Sequence, residues 1–236
     1  MIVNIGMRRR TSPKGTIFTD ADWVYAGGAT VASPATAYSN VNGANSVTIK
    51  YNGVVAYLTK TVSGAVTYAT VPVVLAAGTY RVKGVVNADN SMTLYVNGTA
   101  SQNGYSNEMI TAQADREFSS DTGWWTKSGT SSIGGGVGNV AGTSTQGLRK
   151  TGFTTSGKIY KFSVDLVTVT TGGIRFFLTN TAFGATSTPG TQTYTRIADG
   201  ASWSIYGSTG TDNCAIDNAT FKEVYNNTDT QKYTFA

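Results

Sequence analysis

No segment of this chain keeps its apolar residues at the three-to-four spacing of a helix for long. Short stretches rich in Val, Thr, Ile and Tyr recur instead, broken by Gly, Asn and Asp, which is the signature of strands and turns. In the first half this predicts strands over Ser46–Tyr51, Val54–Val62, Val66–Leu75, Thr79–Val86 and Met92–Val96. Asn52-Gly53 separates the first two and reads as a tight hairpin, because both residue types tolerate positive φ. Residues 85–92 read as a looser one. The second half predicts strands over Trp124–Lys127, Gly147–Lys150, Lys158–Val169, Gly173–Leu178, Thr191–Ile197, Ser202–Tyr206 and Ala215–Val224. Most of the helix-compatible composition falls within Asn103–Glu117, where a short helix and an extended linker fit equally well.

The pattern predicts an all-β protein of two antiparallel β-sandwich modules, jelly-roll-like, behind a short basic N-terminal arm. The expected boundaries are an arm over 1–16, a first module over 17–104, a linker over 105–117 and a second module over 118–236. An internal echo supports related modules. Gly78-Thr79-Tyr80-Arg81-Val82 leads through a turn to a strand ending at Asn97. Gly157-Lys158-Ile159-Tyr160-Lys161-Phe162 leads through Thr171-Gly172-Gly173 to a strand ending at Asn180. Each reads as a hairpin of the kind any antiparallel sandwich produces.

Composition sharpens this. Of 236 residues only 13% are charged, against 40% hydrophobic and 11% aromatic, with 28 Gly, so the chain can form cores while showing a neutral polar surface. No apolar run is long enough to span a bilayer, and Met1–Met7 precede the basic cluster rather than follow it, which reverses the order of a secretory signal. Folding in a cytosol is the expectation. Cys214 is the one cysteine, so no internal disulfide forms, and its expected role is a small buried hydrophobe. The net charge is +5, but Arg8, Arg9, Arg10 and Lys14 supply four of those charges and leave the body near +1. That body lacks the basic face of a nucleic-acid binder. The arm either docks on an acidic neighbour or is a solvated terminus, and the residues alone leave both open.

The order of landmarks in the second half carries a resemblance. Glu117-Phe118 and Gly123-Trp124-Trp125 come first, then Gly157–Val164, Gly190–Tyr194, Trp203-Ser204-Ile205-Tyr206, and a closing Ile216-Asp217-Asn218-Ala219-Thr220-Phe221-Lys222-Glu223-Val224. Over about 110 residues this resembles the carbohydrate-binding-type jelly rolls of phage tail and head-fibre proteins. The stretch from Gly78–Val82 through Leu94-Tyr95-Val96-Asn97-Gly98 is similar, more weakly, to concanavalin-like and laminin-G sandwiches, without a lectin metal-ligand motif. The resemblance implies a virion component.

Chemistry is sparse. With no histidine and one cysteine, Ser-His-Asp, Cys-His and histidine-containing zinc sites are excluded. A glycosidase needs only two carboxylates, but the thirteen acids are scattered and no pair announces itself. Asp20 and Asp22 share a face if they lie on a strand, though surface turns explain them better. Gly136–Ala141 satisfies a G-x-G-x-x-A pattern, but poor helix material follows it, so a β-connection is expected rather than a dinucleotide site. Glycan stacking on exposed aromatics is the more serious candidate, with Trp124, Trp125, Trp203 and Tyr206 as its residues. Adjacent Trp124 and Trp125 point to opposite faces if they lie on a strand, which puts one of them outside. The competing reading has these aromatics filling the core or a subunit interface. Asp217 sits where related jelly rolls sometimes bind calcium, but a bond to a neighbouring amide explains it better. No metal or other cofactor is implied.

The expectation is therefore a non-enzymatic phage structural protein, located in the virion and assembled in the host cytoplasm. It would be a capsid decoration or head-fibre component, with a tail fibre or receptor-binding subunit recognising host glycan as the alternative. Its partners would be a major capsid or tail protein, a host glycan and further copies of itself, with neither nucleic acid nor membrane insertion among them.

Overall fold

Alternation along β3 (Asn45–Tyr51) sets the pattern of the first half. Val47, Ile49 and Tyr51 are buried, while Thr48 and Lys50 between them are not. In this computed structural model, which describes residues 15–102, 104–179, 181–227 and 231–235, every long element is a strand. The segment carrying Arg8, Arg9, Arg10 and Lys14 lies outside the described residues. Among the described residues no helix is long and apolar enough to cross a membrane.

The first module has β1 (Thr16–Tyr25), β2 (Ala35–Asn42), β3, β4 (Ala56–Val62), β5 (Ala65–Val71), β6 (Gly78–Val86), β7 (Met92–Val96), β8 (Thr99–Ala100) and β9 (Gly104–Tyr105). β2-β3-β4-β5 form an antiparallel meander, and β1-β6-β7-β8 form the facing sheet. Their inner faces enclose Val47, Ile49, Leu58, Val71, Val82, Met92 and Leu94. Each such side chain contributes about 1.5–3 kcal/mol of burial. Phe18 is the bulged residue of β1, and its ring lies against Gly84 of β6 so closely that any Cβ there would collide with it. The Asn52-Gly53 turn is present, but only Gly53 takes positive φ (90°). Asn52 instead closes the turn with its side chain, which accepts the amides of Val54 and Val55 at 3.1 and 3.0 Å.

The second module begins with a single helical turn, α1 (Gln113–Arg116). It continues with β10 (Thr126–Lys127), β11 (Ser132–Gly134), β12 (Val137–Gly142), β13 (Gly147–Thr151), β14 (Ile159–Thr171), β15 (Ile174–Leu178), β16 (Thr181–Thr186), β17 (Gly190–Ile197), β18 (Ser202–Gly207) and β19 (Asp212–Asn226). One sheet runs β10-β13-β18-β15-β16, and the other runs β11-β12-β19-β14-β17. Between them lies an aromatic core in which Phe162, Phe176, Trp203 and Phe221 are fully buried. Gly136–Ala141 leads into strand β12, paired to β19, and no helix follows it, so the dinucleotide pattern has no structural counterpart.

The internal echo does not survive. β6 and β7 do pair as a hairpin, but β14 pairs with β17 and β19, whereas β15 pairs with β16 and β18. The Thr171-Gly172-Gly173 turn therefore carries the chain from one sheet to the other. The buried carboxylate of Asp212 holds that corner, accepting the amide of Gly173 at 2.9 Å and the hydroxyl of Thr209 at 2.9 Å.

The chain also ties its two halves together. The end of β19 leaves the second module to pair with β9 and, through Asn226, with Ala69 of β5. Asn227 clamps Tyr68, donating to its carbonyl at 2.8 Å and accepting its amide at 2.6 Å. Residues 231–235 then return to the first module. There Tyr233 is buried and bonds Asn40, and Phe235 stacks on Phe18 at 5.0 Å. A third apolar cluster, Val55, Tyr57, Ile159 and Val224, fills the seam between the modules.

Candidate functional site

The four aromatics singled out from sequence do not form one surface. Trp203 is fully enclosed, and Trp125 is 3% exposed with its indole N–H donating to the Asp115 carbonyl at 3.0 Å, so neither has a face free for a sugar. Trp124 precedes β10 rather than lying on it, so strand alternation does not separate it from Trp125. The two rings meet edge-on at 4.7 Å on the same core. Lys150 sits 4.7 Å from the Trp124 ring. Tyr206 lies on the opposite face of β18 from Trp203 and is half-buried against Phe177 at 5.3 Å. The core reading holds for Trp125 and Trp203, while Trp124 and Tyr206 keep partial exposure in separate places.

The carboxylates likewise serve the fold. Asp20 and Asp22 lie on β1, not in a turn, and both engage Arg81 of β6, at 2.7 and 3.2 Å, on the exposed surface. Glu108 accepts the amides of Ile110 and Phe221 at 3.0 and 2.7 Å. Asp165 accepts from Thr191 and Asn218, and Asp217 accepts the Asn218 amide at 2.7 Å. Among the described residues no three His, Cys, Asp or Glu side chains converge as a metal site. The Cys214 thiol of β19 is buried in the second core, and burial, aided by the nearby Asp212 carboxylate, raises its pKa.

Concavities open at two places among the described residues. One, of about 380 Å³, opens where the Val31-Ala32 loop of the first module meets Leu178, Phe183 and Ile197 of the second, with Arg196 and Asp199 at its wall. The Asp199 carboxylate there accepts the hydroxyl of Thr181 at 2.6 Å. The other, of about 210 Å³, is a groove on the outer face of the sheet, lined by Tyr105, Lys161, Ser163, Thr193, Thr220 and Lys222. Strand register builds it. On β14, Tyr160, Phe162 and Val164 face the core, so Lys161 and Ser163 face out. Across β19 they meet Lys222 and Thr220, and Ser163 also meets Thr193 of β17. Ser163 and Thr220 share a hydrogen bond of 2.7 Å, and the Lys161 ammonium sits 5.1 Å from the Tyr105 ring. Sequence reasoning missed this groove because its residues come from β9, β14, β17 and β19, and only the pairing register assembles them.

Set against known proteins, the chain matches no protein-family model and no curated protein.

Proposed function

We propose that this chain is a structural protein of a bacteriophage particle, a capsid decoration or head-fibre component. The two sandwiches would project from the shell, and the segment containing Arg8, Arg9, Arg10 and Lys14 would dock on an acidic neighbouring protein. The observation that carries the reading is the fusion of the modules. β19 contributes pairing to both, the tail over 231–235 completes the first core, and an apolar seam fills the space between them. Such a unit holds its outer surfaces in fixed relation, as a projecting part requires. The carboxylates engaged in turns and strands support a non-catalytic role, and the sequence likeness to phage jelly rolls supports the setting. Assembly in the host cytoplasm and association with further copies belong to the same proposal.

A tail fibre or receptor-binding role is the second reading, favoured by one observation, the open groove beside Tyr105. A cryo-EM reconstruction of the purified particle, together with one assembled from protein lacking Met1–Lys14, separates the two. Density on capsid lattice positions that disappears with the truncation supports decoration. Density at the tail supports the receptor role, and a particle without this chain overturns both.

A further inference from the structure

Lys161 and Lys222 stand directly opposite one another on neighbouring antiparallel strands, both pointing away from the core. Side chains so placed have Cβ atoms only about 4.5–5.5 Å apart, and like charges in that position repel. Among the described residues neither ammonium has a carboxylate within ion-pairing distance, whereas Lys158, just before β14, pairs with Glu223 of β19 at 3.0 Å. The fold thus keeps two cations together at a cost and neutralises a third nearby.

Around the pair lie three hydroxyls and a ring. Ser163, Thr193 and Thr220 form a row across β14, β17 and β19, each able to donate and accept. Tyr105 is 38% exposed, which leaves aromatic surface beside the lysines. At about 210 Å³ the groove is smaller than the roughly 300–1,000 Å³ of sites for drug-sized molecules, and suits one ring of a longer chain lying over the sheet.

We infer that this groove binds an acidic saccharide, its carboxylate or sulfate between Lys161 and Lys222, its hydroxyls on the Ser163–Thr220–Thr193 row and its ring against Tyr105. A long polyanion such as nucleic acid is a poorer match, because only two cations converge here and the body of the chain is near neutral. The inference deepens the receptor-binding reading and rests on it for its biological use, but the site stands or falls on binding alone, independently of where a particle carries the chain.

The test is an array of uronate-, sialate- and sulfate-bearing glycans with their neutral counterparts, probed with the full chain, with inorganic sulfate and a single-stranded oligonucleotide measured in parallel by calorimetry. Binding should be confined to acidic glycans, weaken as salt rises, and fall at least tenfold in Lys161→Gln/Lys222→Gln, variants that keep a polar side chain and relieve repulsion. Tyr105→Ala should weaken glycan binding and leave bare sulfate unchanged. Binding to no acidic glycan, equal binding of neutral partners, unchanged binding in the glutamine variants or preference for the oligonucleotide overturns the inference. The particle reconstruction is unaffected by any of these results, so failure of the site and failure of the virion reading are told apart.

Discussion

The side-chain amide of Asn52 in the first sandwich donates to the carbonyl of Gly157 in the second, at 2.7 Å and fully buried, while its oxygen holds the amides of Val54 and Val55. One residue therefore closes a turn in one module and grips a turn of the other. Asn52→Ala leaves the Gly157 carbonyl and two amides short of partners in a largely buried seam. Leaving such a group unsatisfied costs about 1–3 kcal/mol, so a loss of at least 2 kcal/mol is expected in chemical denaturation. A smaller loss would mean that the seam relaxes to admit water.

The tail over 231–235 carries Tyr233 and Phe235 into the first core, and Gln231 offers its carbonyl to the buried Lys60 ammonium at 2.9 Å. Truncation after Asn227 should destabilise the first module by about 3–5 kcal/mol, the scale of removing a buried aromatic. Trp23 is the first module's own tryptophan, so fluorescence of a variant whose other tryptophans are replaced by Phe reads this directly. An unchanged midpoint would place the tail outside the core.

Trp203 is fully buried among Trp125, Phe162 and Phe221, and its indole N–H meets no acceptor among the described residues. Trp203→Ala should cost about 3–5 kcal/mol. Trp203→Phe should cost markedly less, because it removes a polar group that burial penalises. Equal losses in thermal unfolding would show that the N–H is satisfied in solution.

Burial pushes the Tyr57 phenol up to about 12, with neighbouring Tyr68 adding to the effect, and burial also raises Tyr68 and Tyr160. A folded-state pKa above the unfolded value means that stability is fully present below about pH 10 and is lost as pH rises toward 12. Urea midpoints should be flat up to about pH 9 and then fall. Tyr57→Phe should flatten that fall, and a wild-type profile unchanged to pH 12 would contradict the buried phenol.

Replacing one of the opposed lysines should stabilise the free protein. Lys222→Thr converts a like-charge pair into a β-branched neighbour and should gain about 0.2–1 kcal/mol, less at high salt. Destabilisation would mean that the lysine stems matter more for packing than their charges do for repulsion.

How far the sequence foretold this fold depends on the position of each strand. β3, β7, β14 and β19 are central, with buried faces, and their Val, Ile, Phe and Leu spacing revealed them. β1 and β2 went unseen because they are edge strands with mostly exposed or half-exposed residues, and β12 because its glycines read as loop. The turn after β14 carried hairpin signals, yet turn chemistry does not state which sheet the chain re-enters. The groove was hidden for a related reason. Lys161 and Lys222 are 61 positions apart in sequence and become neighbours only through the register of β14 on β19.

The placement of β19 has a consequence for synthesis. When residues up to 211 have emerged from the ribosome, the second sandwich still lacks the central strand of one sheet, and the first lacks Tyr233 and Phe235 from its core. Neither half can close behind the growing chain in the domain-by-domain order usual for tandem proteins. Both must wait for residues 212–235, so the nascent chain carries two open cores at once and completes them with one shared segment.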